Sequence, residues 1–141
     1  MVFVGADFGV RVVKVVTAAI LIDNRRVLLT RRAAGQSLEG YWEFPGGKLE
    51  QGETVEQCLE RELLEETALE IQAGKIFAES VYHYENGSIK LVALEARLIG
   101  GDITLSVHDA YEWVPLKDVC SYELAPADIP IAKSLIEKFD G

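Results

Sequence analysis

Three glutamates are spaced so that they share one side of a helix. Glu62, Glu65 and Glu66 occupy positions i, i+3 and i+4, and side chains at this spacing are neighbours on a helix surface. Like charges so placed destabilise an isolated helix, and a bound divalent cation is the simplest partner that offsets their repulsion. Glutamate runs are also typical of solvated helix faces, so charge alone does not decide between the two interpretations.

The charge of the chain is concentrated around these glutamates. The 141 residues include 14 basic and 23 acidic ones, a net charge of −9. Segment 48–70 holds eight glutamates against Lys48 and Arg61, which amounts to −6. Phosphates repel so acidic a chain, which makes non-specific binding of nucleic acid unfavourable. Hard divalent cations, in contrast, bind carboxylates and can bridge them to a phosphorylated ligand.

Two nearby features can complete a metal site. Arg61 precedes the glutamates and Glu53 lies just before the helix, so one positive group can orient one carboxylate. The pair Gly46-Gly47 lies further ahead, where free backbone carbonyls or amides can join the site. Glycine at these positions allows either a close backbone approach or a positive φ.

The hydrophobic pattern predicts one α+β domain in which two helices pack on mixed strands. Thr54-x-x-Gln57 is a capping-box pattern, which predicts a helix from Thr54 to about Ala68. Its core face carries Val55, Leu59 and Leu63. A second helix is predicted at 131–139, and Asn86-Gly87 predicts a hairpin. Strands are predicted at 10–23, 27–30, 41–44, 75–84, 89–99 and 111–114.

Segment 47–69 resembles the Nudix box, GX5EX7REUXEEXGU, in which U is an aliphatic residue. It reads Gly47-x5-Glu53-x7-Arg61-Glu62-Leu63-x-Glu65-Glu66-x-Ala68-Leu69. One position departs, because Ala68 stands where the family has a glycine that ends the helix. Glycine there serves as a left-handed C-cap, so the alanine predicts a different helix exit. The resemblance implies a single Nudix domain over 1–141, an α/β/α fold with a mixed β-sheet sandwiched between helices.

Segments outside the box resemble the MutT-type branch of this family. They are 31–34, 42–48 and 112–116, and 124–130 is similar to the CTP pyrophosphohydrolase and 8-oxo-dGTP diphosphatase group. The resemblance implies hydrolysis of nucleoside triphosphates such as CTP, modified dCTP or 8-oxo-dGTP. The expected products are the monophosphate and pyrophosphate, and the expected cofactor is Mg²⁺, with Mn²⁺ as a substitute.

The resemblance also assigns roles to individual residues. The implied metal ligands are the carbonyl of Gly46 and the carboxylates of Glu62, Glu65 and Glu66. Arg61 matches the arginine that orients a carboxylate, and Glu53 matches an accessory acid. These two residues and the three helix glutamates form the expected catalytic set.

One departure from the branch concerns the general base. Many MutT-like chains carry Glu-His-Asp where this chain has Val107-His108-Asp109. Because valine can neither bind a metal nor accept a proton, the base must be one of the helix glutamates, or Asp109 after a loop shift. His83 and His108 are interpreted as ordinary strand or loop residues, because neither has a metal partner at ligand spacing.

Three residues are the expected substrate contacts: Arg32, Phe44 and Asp128. Arg32 is either a solvated strand-end charge or a phosphate or sugar contact. Phe44 is more typical of a core residue than of a platform for the base. Tyr82 and Tyr84 alternate with His83, so one face of that strand lines the pocket, and the alternation does not say which face.

Asp128 has two interpretations that do not exclude each other. It is a favourable helix N-cap before Pro130, and it matches an asparagine that contacts the base in MutT. An ionised aspartate only accepts hydrogen bonds. On that basis we expect cytosine or (oxidised) guanine triphosphates to be preferred over UTP and dTTP.

Two other functions compete with that of a nucleotide-pool enzyme. One is hydrolysis of triphosphorylated RNA 5′ ends, which the negative charge disfavours. The other is a Nudix-fold nucleotide-sensing domain without catalysis, which the complete set of box glutamates disfavours. The expected partner is a small nucleoside triphosphate, with no nucleic acid and no membrane, and the chain is a monomer or a homodimer.

The expected location is the cytoplasm. The N-terminal residues 1–7 lack the basic region of a signal peptide, and the longest apolar stretches are too short to span a membrane. Cys58 and Cys120 have no metal-ligand spacing, and both are expected to be small buried hydrophobic residues in a reducing compartment.

Overall fold

The computed structural model describes residues 2–4, 11–85 and 87–140. The strands in this part of the chain are β1 (Val2–Val4), β2 (Arg11–Asp23), β3 (Arg26–Arg32), β4 (Trp42–Glu43), β5 (Glu70–Tyr84), β6 (Gly87–Gly100) and β7 (His108–Pro115). The α-helices are α1 (Val55–Thr67) and α2 (Asp128–Asp140), and a 3₁₀ helix covers Leu116–Ser121. The predictions that concern Val10, Asn86 and residues 1 and 5–7 fall outside the described residues.

Strands β2 and β6 form the centre of the sheet, because both carry uninterrupted apolar runs. Residues 18–21 and 91–94 are all buried, as expected of parallel strands that are covered on both faces. The two strands pair in parallel at nine positions, from Val13–Ser88 to Leu21–Ala96. β5 pairs antiparallel with β6, and β1 pairs antiparallel with β2.

One helix covers each face of this sheet. Successive residues of β2 point to opposite faces, so Ala18 packs in one core with Leu135 of α2. Its neighbour Ala19 packs in the other core with Leu63 of α1. The predicted α/β/α arrangement of a mixed sheet between helices is confirmed.

Strands β2 and β3 separate directly after their turn, which leaves room beside β2 for the glycine-rich segment 45–49. The two strands pair only at the two positions next to their turn, and β3 then pairs with β4 and β7. Segment 45–49 takes the vacated edge of β2. The amides of Ala19 and Thr17 donate to the carbonyls of Pro45 and Gly47 at 2.7 and 2.8 Å, which fixes this segment against the central strand.

The boundaries of α1 follow the prediction closely. Thr54 and Gln57 form the expected capping box, with reciprocal hydrogen bonds of 3.0 and 3.1 Å. The prediction of a different helix exit is wrong. Ala68 itself takes the left-handed conformation, with φ 63° and ψ 12°, and its N–H donates to the carbonyl of Leu64 at 3.0 Å.

Other boundaries differ from the prediction. β5 begins at Glu70 instead of 75, and α2 begins at Asp128 instead of 131. Strand β1 and the 3₁₀ helix were not predicted. Cys58 is buried as expected, but the prediction for Cys120 is wrong. That cysteine is exposed, because the 3₁₀ helix turns only Leu116 and Val119 inward. No helix in the described ranges is long and apolar enough to cross a membrane.

Candidate active site

A cavity of about 680 Å³ lies where the glycine-rich segment, α1 and the β5–β6 hairpin meet. Of the predicted site residues it brings together Arg32, Phe44, Gly46, Glu62, Glu66 and Asp128. The other three, Glu53, Arg61 and Glu65, lie beside the cavity without lining it. Arg61 forms ion pairs with Glu53, with Glu65 and with Glu62 in the cavity.

Backbone packing at the cavity floor leaves no room for a side chain on Gly46, and a side chain on Gly47 would displace the carboxylate of Glu62. A Cβ atom on Gly46 would lie 2.0 Å from the carbonyl oxygen of Thr17, and one on Gly47 would lie 2.2 Å from Oε2 of Glu62. The carbonyls on either side of Gly46 point at β2. Since successive carbonyls of extended backbone point in opposite directions, the carbonyl of Gly46 is directed away from β2 and is available to a ligand.

Arg61 organises the carboxylates beside α1. Its Nη1 donates to Oε1 of Glu62 at 2.7 Å and to Oε1 of Glu65 at 3.3 Å. Its Nε and Nη2 donate to Glu53, and Nη2 also donates to the carbonyl of Lys48 at 3.2 Å. The hydrogen bonds to Glu53 lower the pKa of Glu53 to about 2. Glu65 is 58% exposed, whereas the Glu62 side chain is 13% exposed. The predicted cluster therefore divides: Glu62 and Glu66 face the cavity, and Glu65 faces solvent.

Glu66 is the most perturbed carboxyl group of the cluster. Burial, and then the charges of Glu62 and Glu43, raise its pKa to about 8. Its Oε1 is buried and finds no hydrogen-bond partner in residues 2–4, 11–85 and 87–140. A buried carboxylate oxygen without a partner is costly, and a cation beside it removes that cost.

The donors in the cavity fit a hard divalent cation. They are carboxylate oxygens of Glu62 and Glu66 and the backbone carbonyl of Gly46, and oxygen donors suit Mg²⁺. Within the described residues, no three acidic, histidine or cysteine side chains form a closed metal cage. Such a cage is not required, because Mg²⁺ retains several waters and is bound through one or two carboxylates and substrate phosphates.

Sequence reasoning missed a partly buried network centred on Glu43. Its Oε2 lies 2.8 Å from Nε2 of His108 and accepts a hydrogen bond from Nη1 of Arg32 at 3.4 Å. His108 is a strand residue, one of the two possibilities expected, but it is buried at the start of β7 and binds Glu43, which the sequence did not predict. The position of Glu43 in segment 42–48, beside Phe44, was the one sequence feature that could have indicated a role for it. Its partners Arg32 and His108 lie on β3 and β7, so no local spacing predicts these contacts.

Asp128 is buried, and its carboxylate binds across the fold. Its Oδ2 accepts the backbone N–H of Phe44 at 3.0 Å, although the two residues are 84 positions apart. Burial and then the charge of Glu43 raise the pKa of Asp128 well above its ordinary value. The premise that Asp128 is an acceptor only is therefore not supported by its environment, because a protonated carboxyl also donates.

The remaining expectations concern the walls of the cavity. Tyr82 and Tyr84 line it, while His83 binds the hydroxyl of Ser88 at 2.7 Å. Phe44 is 2% exposed and belongs to the core packed under α2. Val107 lines the cavity as an apolar residue. Asp109 binds Nε of Arg31 at 2.7 Å, which draws its carboxylate away from any role in the cavity.

The chain is similar to known proteins over most of its length. The model of the NUDIX domain matches residues 13–139. The CTP pyrophosphohydrolase of Escherichia coli (strain K12) is 35% identical over 121 residues, which cover 86% of this chain and 90% of that protein. The 8-oxo-dGTP diphosphatase of the same organism is 32% identical over 113 residues, 80% of this chain and 88% of that protein. The solution structure of the E. coli ORF135 protein superposes with a TM-score of 0.79 at 32% identity, covering 90% of this chain and 91% of that one.

Proposed function

This chain belongs to the Nudix family, and on that premise we propose that it is a hydrolase of MutT type that converts nucleoside triphosphates to the monophosphate and pyrophosphate. CTP, modified dCTP and 8-oxo-dGTP are the proposed substrates, with Mg²⁺ as the cofactor and Mn²⁺ as its substitute. The named activities of the two E. coli relatives support this substrate class. A role in removing damaged nucleotides from the cytoplasmic pool, and so in protecting DNA, follows from such substrates.

The observation that carries the proposal is the buried, unpartnered carboxylate oxygen of Glu66 within the described part of the chain. It lies in the same cavity as Glu62 and Gly46. Apolar and aromatic side chains line other parts of that cavity, among them Tyr82, Tyr84 and Leu91. A cavity with cation ligands in one part and apolar walls in another suits a molecule with a phosphate chain and a planar base.

Each proposed catalytic residue has a task that its contacts support. Glu62, Glu66 and the carbonyl of Gly46 would hold the cation from within the cavity. Glu65 lies outside the cavity against Arg61, and its proposed role as a further ligand rests on its place in the Nudix box. Glu53 holds Arg61, and Arg61 in turn orients the carboxylates of Glu62 and Glu65. A bound Mg²⁺ neutralises phosphate oxygens and makes a water more acidic. The protein supplies positioning, which dominates catalysis of phosphoryl transfer.

The candidates for the general base are the carboxylates that line the cavity. Val107 has no basic atom, and Asp109 is paired with Arg31 outside the cavity. Five carboxylates from the described part of the chain line the cavity; Asp128 accepts the N–H of Phe44 and Glu50 is 67% exposed beside Arg61, which leaves Glu62, Glu66 and Glu43. Glu43 is held between His108 and Arg32, so we assign the proton-accepting role to Glu62 or Glu66, one of the helix glutamates expected from the sequence.

A nucleotide panel tests the proposal. CTP, 8-oxo-dGTP, 5-methyl-dCTP, dATP and UTP are incubated with the protein in Mg²⁺, in Mn²⁺ and in EDTA, and the products are separated. We expect the monophosphate and pyrophosphate, in a metal-dependent reaction. Release of inorganic phosphate instead of pyrophosphate, or equal turnover in EDTA, would contradict it. An absence of turnover with tight nucleotide binding would favour the sensing domain.

A further inference from the structure

Arg32 is engaged by the protein itself, in a way that changes its expected role. Its Nε donates to the carbonyl of Ser37 at 3.0 Å, and its Nη2 donates to the Ser37 hydroxyl at 3.1 Å. Its backbone N–H and carbonyl bind Tyr41 and Gly40, each at 2.9 Å. With Nη1 on Glu43, the guanidinium ties segment 33–40 to the wall of the cavity. Because its donors bind Ser37 and Glu43, the guanidinium holds this loop in place and is not directed at a phosphate.

The residue next to Ser37 has an unfavourable conformation. Leu38 has a φ of 55°, in the left-handed region that favours glycine and asparagine. Its side chain is 48% exposed, so apolar burial within the protein does not offset the strain. Its carbonyl accepts the N–H of Tyr41 at 3.1 Å, but that turn requires no leucine side chain. Neither packing within the protein nor the hydrogen bond of the turn therefore explains why a leucine occupies position 38.

The position of Leu38 suggests what it contacts. The side chain lines the same cavity as Glu62 and Glu66, together with Arg32 and Ser37. Other apolar lining comes from the hairpin, through Tyr82 and Ile89. A half-exposed leucine beside such a cavity gains contact area only when a ligand with an apolar face is present. The ring of a nucleobase has such a face, whereas the phosphate chain does not.

We propose that Leu38 is a specificity-determining residue that packs against the nucleobase, and that Arg32 is the positioning residue that holds it there through Ser37. This inference rests on the proposed function and adds a residue that the Nudix box does not contain. It also reassigns Arg32, which the sequence suggested as a phosphate or sugar contact.

The test is a double-mutant cycle with steady-state kinetics on CTP and 8-oxo-dGTP. Leu38→Ala and Leu38→Gly are expected to raise KM about tenfold or more and to leave kcat within about threefold. Arg32→Lys keeps the charge but loses the planar fork, and a similar rise in KM is expected. The double variant Arg32→Lys/Leu38→Ala should be no worse than either single variant, because both remove the same contact. Leu98→Ala, an exposed leucine on β6 outside the cavity, is the matched control.

Two outcomes would overturn the inference. If KM of Leu38→Ala stays within about twofold of the wild type, Leu38 does not contact the base. If the effects of Arg32→Lys and Leu38→Ala multiply, Arg32 acts on the substrate directly and not through the loop. Melting temperatures are measured for every variant to exclude misfolding. Leu38→Gly relieves a positive φ, so its Tm should not be lower than that of the wild type.

A binding measurement separates this inference from the proposed function. The dissociation constant of the α,β-methylene analogue of CTP is measured for the same variants by calorimetry. If the wild type releases no pyrophosphate but Leu38→Ala weakens binding of the analogue about tenfold, the proposed function fails and the role of Leu38 stands. If turnover is present and the analogue binds equally to both proteins, only the role of Leu38 fails.

Discussion

Arg61 binds Glu53 through two parallel hydrogen bonds, Nε to Oε2 at 2.6 Å and Nη2 to Oε1 at 2.9 Å. The arginine lies on α1 and the glutamate precedes that helix, so this fork–fork pair joins the helix to its leading loop. Such a pair needs a planar guanidinium. It leaves Nη1 free for Glu62 and Glu65.

Arg61→Lys tests this arrangement. A lysine cannot bind Glu53 with two parallel bonds and reach Glu62 as well, so we expect turnover to fall about 10²-fold. The pKa of Glu53 is lowered to about 2. The pair therefore stabilises the fold above about pH 4.5, and this stabilisation is lost as pH falls toward 2. Melting curves should show a gap between wild type and variant at pH 6 that narrows by pH 3. Arg31→Lys, at an exposed ion pair, should show a much smaller gap.

Glu66→Gln should lower turnover and change the pH dependence of stability. The variant keeps the volume of the side chain but loses a carboxylate that holds the cation, so we expect kcat to fall at least about 10²-fold. The wild-type pKa is raised to about 8, so the folded state retains a proton that the unfolded state releases. Without metal, this group makes the wild type less stable as pH rises from about 4.5 to 8.

In Glu66→Gln that decline should be smaller, as measured by urea unfolding in EDTA at pH 5 and pH 8. Glu56→Gln, at an exposed residue in the first turn of the same helix, is the control and should leave both kinetics and pH profile unchanged. Full turnover of Glu66→Gln at saturating Mg²⁺ would place the metal elsewhere.

Millimolar Mg²⁺ should raise the melting temperature of the wild type. A cation that binds only the folded carboxylates stabilises the fold by mass action, and it also displaces the proton from Glu66. Calorimetry in two buffers of different ionisation enthalpy should detect proton release near pH 7. The shift in Tm should be smaller in Glu66→Gln. Identical melting curves with Mg²⁺, Mn²⁺ and EDTA would contradict a cation site in this cavity.

Asp128 allows a test of the base preference. Asp128→Ala leaves the buried N–H of Phe44 without its acceptor, so we expect a loss of about 1–3 kcal/mol in the free energy of unfolding, together with a weaker preference for CTP over UTP. Asp128→Asn retains an acceptor for Phe44 and resembles a protonated carboxyl, so stability and substrate ranking should both persist. A reversed ranking in Asp128→Asn, measured as kcat/KM, would show that an ionised aspartate sets the preference.

Ala68→Gly should stabilise the protein. Ala68 has a φ of 63°, which costs an alanine about 1–2 kcal/mol and a glycine almost nothing, while glycine loses more entropy on folding. We expect a net gain of about 1 kcal/mol in chemical denaturation. Ala78→Gly on β5 is the control with the opposite sign, because glycine weakens a strand. Equal losses in both variants would mean that the left-handed C-cap carries no strain.

Features whose hydrogen bonds close within a few residues could be predicted from the sequence alone. The capping box of Thr54 and Gln57, the length of α1 and the i, i+4 placement of Glu62 and Glu66 all follow from helical spacing, which is local. The alternation of Tyr82 and Tyr84 predicted that one face of their strand lines a pocket. It did not predict which face, because that depends on where the cavity lies.

Contacts between distant segments, and the protonation that burial produces, depend on the tertiary structure. Glu43 meets His108 65 residues away, and Phe44 meets Asp128 84 residues away, because β3 leaves β2 after two pairs and carries its partners to the cavity. The raised pKa values of Glu66 and Asp128 come first from desolvation. Desolvation is a property of the surrounding packing and not of the residue type. The hydrogen bonds of Arg32 to Ser37 and Glu43 likewise depend on how the chain after β3 folds back, which local spacing does not predict.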